Sequence, residues 1–177
     1  MKCTFSPTSL NLLMECPRCF WLQMVKGIKR PSGPWASFPL KMDEIIKKYF
    51  NKYRYKNQLP ILIEGKVPGR LAKNMPYTLQ KRLYNGFSII GKPDDYLLLD
   101  DGRIAILEHK IRANATVSVH PAYTLQMDVY SYLLKTLGYS IYDRAFLVYY
   151  YPVDSALHDG LSLLSKVEEV MVNPLNA

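Results

Sequence analysis

The chain predicts an α/β fold, and three observations carry that prediction. Residues 40 to about 55 hold an amphipathic helical stripe, and residues 89 to 111, IIGKPDDYLLLDDGRIAILEHKI, read as two strands around a sharp turn. A helix from His120 to Gly138 and a buried-type strand ending at Pro152 then follow. Both periodicities alternate along one chain, as they do in α/β architectures. At 177 residues, 49% hydrophobic and 21% charged, the sequence suits one globular domain able to bury a core. We expect an N-terminal helical segment over 6–56, a core over about 60–152 and a tail over 153–177, with no repeat or second-domain boundary.

The elements follow in order. Ser6-Pro7 opens a helix, with serine as cap and proline where its missing N–H costs nothing; Leu10, Leu13 and Met14 then recur at helical spacing. Pro17 ends or bends that helix, and a second short helical piece closes at Gly27. Residues 29–39, with Pro31, Gly33, Pro34 and Pro39, read as a loop. From Leu40 the positions Met42, Ile45, Ile46, Tyr49, Phe50 and Tyr53 form one apolar stripe, with Lys41, Glu44, Lys47, Lys48 and Lys52 opposite. PILIEGKV, from Pro60, reads as a short strand; residues 66–86 are too mixed to assign. After the hairpin, His120-Pro121 opens a helix that Gly138 stops. The segment LSLLSKVEEVMV near the end fits helix or strand equally.

Bulk properties narrow the function. No apolar run reaches the length of a membrane span, and MKCTFSPTSL lacks the apolar core of a signal peptide, so the cytoplasm is the expected compartment and no membrane partner is expected. Three cysteines, an odd count, argue against a disulfide framework and fit a reducing interior. Twenty-three Lys and Arg against fifteen Asp and Glu leave a net charge of +8. Such a surplus favours a polyanion, nucleic acid first and an acidic membrane surface second, although solubility alone accounts for charge that is not clustered at a site.

The hairpin carries the chemistry. Alternation puts Ile104, Ile106, Glu108 and Lys110 on one face of its second strand. A two-residue Asp101-Gly102 turn would set Asp95 opposite Glu108; a three-residue Asp100-Asp101-Gly102 loop would set Asp94 there. Either way an aspartate meets a glutamate across the ladder. Two carboxylates that close repel unless a cation lies between them, and all-oxygen ligation suits Mg²⁺ or Mn²⁺ rather than zinc. A neighbouring lysine can orient an attacking water and offset charge developing on a phosphate. An exposed ion-pair cluster is the plain alternative, and the two isoleucines on the same face weaken it.

Gly91-Lys92-Pro93-Asp94, then Glu108-His109-Lys110, then Gln126-Met127-Asp128-Val129-Tyr130 together resemble the PD-(D/E)XK nuclease superfamily. The likeness is to its RecB-like branch, which includes the CRISPR-associated exonucleases. That branch shows a G-x-x-D element, an acid-x-Lys element and a Q-x-x-x-Y element on the following helix; SPTSLNLLMECPRCFWL also resembles its N-terminal segments. The resemblance implies a restriction-endonuclease-like core, a mixed β-sheet flanked by helices. It implies a metal-dependent deoxyribonuclease, exonuclease-like, using Mg²⁺ or Mn²⁺ and a metal-activated water. Asp94 and Glu108 would be metal ligands with the His109 backbone carbonyl a third, which favours the three-residue loop. Lys110 would position the water, and Gln126 and Tyr130 would steady the strand or contact the nucleic-acid backbone. DNA is the implied partner, with other subunits of a repair or defence complex beside it. The rival is a nucleic-acid-binding subunit that keeps the fold and does not cut.

Other features read more simply. Cys16-Pro17-Arg18-Cys19 has the spacing of half a metal site, and some members of that branch carry a four-cysteine iron–sulfur cluster. No cysteine follows Cys19, so Cys3, Cys16 and Cys19 cannot complete such a cluster; we expect ordinary thiols packed among Phe20 and Trp21, or, with ligands from a partner chain, a metal-stapled module. Glu44 is expected to complement the start of its helix, with Asp43 left open as a group that could approach the metal. Residues 47–56, KKYFNKYRYK, mix cations with aromatics, which suits single strands, but Tyr49, Phe50 and Tyr53 belong to the buried stripe. His120 caps or precedes its helix, Asp95 is expected to stand behind the metal ligands or to be a surface charge, and His158 lies in an uninformative tail.

Overall fold

The computed structural model describes residues 3–31, 33, 37–114, 118–155 and 160–174; His158 lies outside them. Chain order is β1 (Cys3–Phe5), α1 (Pro7–Glu15), α2 (Pro17–Lys26), α3 (Ser37–Arg54), β2 (Arg70–Leu71), β3 (Leu79–Arg82), β4 (Phe87–Gly91), β5 (Asp95–Leu98), β6 (Ile104–Ile111), α4 (Pro121–Thr136), β7 (Arg144–Ser155) and β8 (Gly160–Met171). The architecture is α/β, with two mixed sheets flanked by helices: β2-β5-β6-β7-β8 and β1-β4-β3. Within the larger sheet β6 and β7 run parallel and every other pair antiparallel. A parallel pair cannot be joined by a tight turn, and α4 supplies the crossover.

Local signals set the helices. Ser6 caps α1 through a reciprocal box, its hydroxyl accepting from the Ser9 N–H at 3.2 Å while the Ser9 hydroxyl accepts from the Ser6 N–H at 2.7 Å. Gly27, left-handed at φ 69°, stops α2. His120 caps α4, its Nδ1 accepting from the Ala122 N–H at 3.2 Å. Ile46 and Phe50 of α3 join Leu97, Ala105, Leu107 and Phe146 on one face of the larger sheet. Met127, Tyr130 and Leu133 of α4 join Tyr96, Ile104 and Ile106 on the other, which also receives Leu79 and Ile89 of the small sheet. Among the described residues no helix is long and apolar enough to cross a membrane.

Several expectations are corrected. PILIEGKV is no strand: residues 61–66 are turns, with Ile63 and Val67 buried in the α3-side core, so its apolar side chains serve packing rather than pairing. The loop over 29–39 ends early, because α3 starts at Ser37; Pro39 sits in its first turn, where an N–H has no helical partner to lose. Asp43 and Glu44 are therefore not at the helix start, and Glu44 pairs instead with Lys41 at 2.9 Å and Lys48 at 2.5 Å. Ile45, placed on the apolar stripe, is exposed. β7 continues through Pro152, because β6 has ended there and only β8 remains alongside, so the missing N–H breaks no central ladder. The ambiguous C-terminal segment is β8.

Residues 89–98 are not one strand. β4 belongs to the small sheet and β5 to the larger one, and Lys92-Pro93-Asp94 is the link between them. Proline has no N–H for a ladder and restrains its predecessor, which suits a change of sheet.

Candidate functional site

The hairpin loop decides the register. Leu98 pairs with Ile104, and the Leu99 N–H donates to the Arg103 carbonyl at 2.9 Å, closing the three-residue loop with Gly102 left-handed at φ 85°. One more step places Asp94 beside Glu108. The ladder has ended there, and side chains take over its bonds. The His109 N–H donates to Asp94 Oδ2 at 3.1 Å, and the Asp94 N–H lies 3.3 Å from Glu108 Oε2.

Glu108 is the hub. Its Oε1 accepts from Lys110 Nζ at 2.8 Å and from Gln126 Nε2 at 2.9 Å, and Lys110 Nζ also reaches Gln126 Oε1 at 3.1 Å. Gln126 Nε2 lies 2.7 Å from the Tyr130 hydroxyl, which donates to the Lys92 carbonyl at 3.1 Å. Asp94, Glu108, Lys110, Gln126 and Tyr130 thus form one connected network, drawn from the sheet-to-sheet link, β6 and α4. Gly91 belongs to it by shape: a Cβ there would stand 2.6 Å from the Tyr130 ring. The side chains of Asp94 and Lys110 are 14% and 17% exposed, and that of Glu108 5%, so the first two reach solvent and the glutamate sits behind them.

Burial drives the electrostatics. Desolvation pushes the Glu108 carboxyl above the usual range, the Asp94 charge adds to this, and Lys110 opposes it. The Tyr130 hydroxyl is raised by burial first and by Glu108 second. Lys47 of α3 reaches the other side of Asp94, 2.9 Å from Oδ1, and also holds Asp43 at 2.8 Å. Burial works against its charge, yet the bonds to Asp43 and Asp94 prevail and hold its pKa above the ordinary lysine range. A cavity of about 240 Å³ opens beside Asp94, lined by Lys47, Asn51, Arg54, Asn74 and Tyr77 among others. On the far side Lys110 stands 4.7 Å from the centre of the Tyr123 ring, whose hydroxyl accepts from Arg112 at 2.8 Å.

His109 and Asp95 point the other way. The His109 ring is sealed on the α3 face against Phe50, with the Tyr150 hydroxyl 3.0 Å from Nδ1 and Asp95 Oδ2 3.6 Å from Nε2. Asp95, 2% exposed, is ion-paired with Arg54, which also donates to the Ala72 carbonyl at 2.7 Å. Cys16 and Cys19 are half-buried and not joined by a disulfide, and Trp21 is 49% exposed. Reading the sequence missed Lys47, Arg54, Tyr123 and Arg112 as neighbours of the site. Asp43, Lys47, Asn51 and Arg54 recur at i, i+4, i+8 and i+11, a polar stripe beside the apolar one, and that spacing was the available signal.

Among the described residues no group of three or more His, Cys, Asp and Glu comes together as a metal cage. Asp94 and Glu108 set two carboxylates side by side whose mutual repulsion a divalent cation would relieve, and in that respect alone the donor set would fit Mg²⁺ or Mn²⁺.

No family model matches this chain, and no curated protein matches it. Among solved structures it is similar to one described as "Crystal structure of SSO0001", at 14% identity, covering 99% of this chain and 70% of that one, with a TM-score of 0.45. Likeness at that level speaks to neither family nor activity. The class the fold defines is α/β with mixed sheets between helices.

Proposed function

We propose that the chain is a metal-dependent deoxyribonuclease of the PD-(D/E)XK kind, hydrolysing a phosphodiester with water as the nucleophile. One observation carries the reading: Asp94, Glu108, Lys110 and Gln126 meet where the chain passes from one sheet to the other, and two of them reach solvent. A surface ion-pair cluster would not bury a glutamate beside a second acid. The basic balance and the cations Lys47 and Arg112 around the site suit a polyanionic backbone.

In this reading Asp94 and Glu108 hold a divalent ion, which when bound supplies charge neutralisation and a more acidic attacking water. Gln126 fixes the Glu108 oxygen through its amide N–H and turns its carbonyl to Lys110, so that both side chains keep one orientation. Lys110 then offers a positive charge beside the attacked phosphate. Tyr130 ties α4 to the Lys92 carbonyl and so holds the link that carries Asp94.

The test is cleavage of labelled single- and double-stranded DNA with Mn²⁺, for the wild type and for Glu108→Ala and Lys110→Ala. Cutting that needs metal and falls by about a hundredfold or more in both variants is expected. DNA binding without cutting under any metal would replace this reading with the non-cleaving subunit. A thermal shift with Mn²⁺ in wild type but not in Glu108→Ala would report the metal apart from turnover.

A further inference from the structure

A second cluster of reactive side chains stands at the elbow between α1 and α2, unconnected with the proposed nuclease chemistry. Cys16 is the N-cap of α2, and its sulfur accepts the Cys19 N–H at 3.3 Å, so the first thiol is folded back over the turn that carries the second. Pro17 removes the first competing N–H. Gly27 then turns the chain back, and Arg30 in the segment after it is ion-paired at 3.2 Å with Glu15, the residue before Cys16. Both thiols are half-buried and reachable from solvent, in contrast to Cys3, which is 7% exposed.

We propose that Cys16 and Cys19 are a redox-active dithiol, with Cys16 the attacking sulfur, Cys19 the resolving one, and low-molecular-weight disulfides such as oxidised glutathione the co-reactant. Three features of the elbow point there. The sequence spacing places the two residues one helical turn apart, within the Cα separation of about 4.4–6.8 Å that a disulfide spans. A helix N-terminus and a guanidinium both favour a thiolate, and the Cys16 thiol is lowered from its ordinary value, first by its bonds to Cys19 and further by Arg30. A closed metal site would need two more ligands, and among the described residues no such group assembles; Glu15 is engaged by Arg30.

The chemistry balances. The Cys16 thiolate attacks one sulfur of the glutathione disulfide, forming a mixed disulfide and expelling one glutathione thiolate, which takes a proton. Cys19, deprotonated to solvent, attacks the Cys16 sulfur and expels the second glutathione. Two protein thiols lose two electrons and two protons, and one disulfide becomes two thiols.

Alkylation by iodoacetamide at pH 7, read by peptide mass spectrometry, should label Cys16 roughly tenfold faster than Cys3, with Arg30→Ala slowing Cys16 and Arg30→Lys restoring part of the rate. In a glutathione redox buffer the wild type should form the Cys16–Cys19 disulfide, and Cys19→Ser should accumulate glutathione on Cys16. Equal labelling of Cys16 and Cys3, or no adduct on Cys16 in Cys19→Ser, would overturn the proposal. Neither measurement depends on DNA cleavage, so this proposal and the nuclease reading fail separately.

Discussion

Two faces of one strand behave in opposite ways. On β6, Glu108 and Lys110 face α4 and His109 faces α3, and each face carries a polar network. The α4-side network is reached by solvent through Asp94 and Lys110, and its central acid is pushed toward the protonated form. The α3-side network is closed at its acid and its ring, since Asp95 and His109 are buried and Phe50 covers the imidazole, while Arg54, which offsets the aspartate, also lines the cavity beside Asp94. Both are expensive to build, because buried polar groups lose water and must find partners. The closed face pairs its ion, Asp95 with Arg54, leaves His109 Nε2 without a hydrogen bond, and reads as framework. The open face gives its acid three hydrogen bonds, yet burial and the neighbouring Asp94 charge still raise it, and shifted acids of that kind cluster where chemistry occurs.

The comparison can be broken by experiment. Asp95→Ala should have the largest effect on stability, about 3 kcal/mol by urea unfolding, since it strands Arg54 beside a buried core. The paired change Asp95→Leu with Arg54→Met should recover much of that loss; if it recovers none, the closed face is not framework. Gly91→Ala comes next, at about 1–3 kcal/mol, because the new methyl meets the Tyr130 ring. A loss of that size restored by Tyr130→Phe would assign it to the hydroxyl rather than the ring, and would correct the steric account.

The smallest effect sharpens the contrast through pH. A carboxyl raised on folding contributes stability that is fully present below its ordinary value near 4.5 and is lost as pH rises through the raised folded value. Wild type without metal should therefore lose stability relative to Glu108→Gln as pH climbs from about 4.5 toward neutrality, with Lys110 opposing the loss. Parallel pH curves for the two proteins would remove the claim that Glu108 is under-compensated.

Much of the site was legible because it rests on local rules. Alternation puts Glu108 and Lys110 on one face, helical spacing puts Gln126 and Tyr130 on another, and both hold whatever surrounds them. The caps at Ser6 and His120 and the stop at Gly27 are legible for the same reason, each being a bond between near neighbours. The register of the hairpin was open between two loops, since DDG permits both. PILIEGKV misleads because an apolar run says that side chains are buried and nothing about what the backbone bonds to. The small sheet escaped notice: β3 is four residues of mostly exposed polar side chains, recognisable only once β4 pairs with it.

The sequence alone determined the alternation of helix and strand, the charged residues set into a sheet and the polarity of each helical face, because these follow from periodicity within a few residues. Tertiary structure decided which sheet each half of IIGKPDDYLLL joins, which aspartate meets Glu108, and that Lys47 and Arg54 arrive from α3 to face Asp94 and Asp95. Those outcomes turn on contacts between residues far apart in the chain, whose energies depend on shared burial that no local pattern encodes.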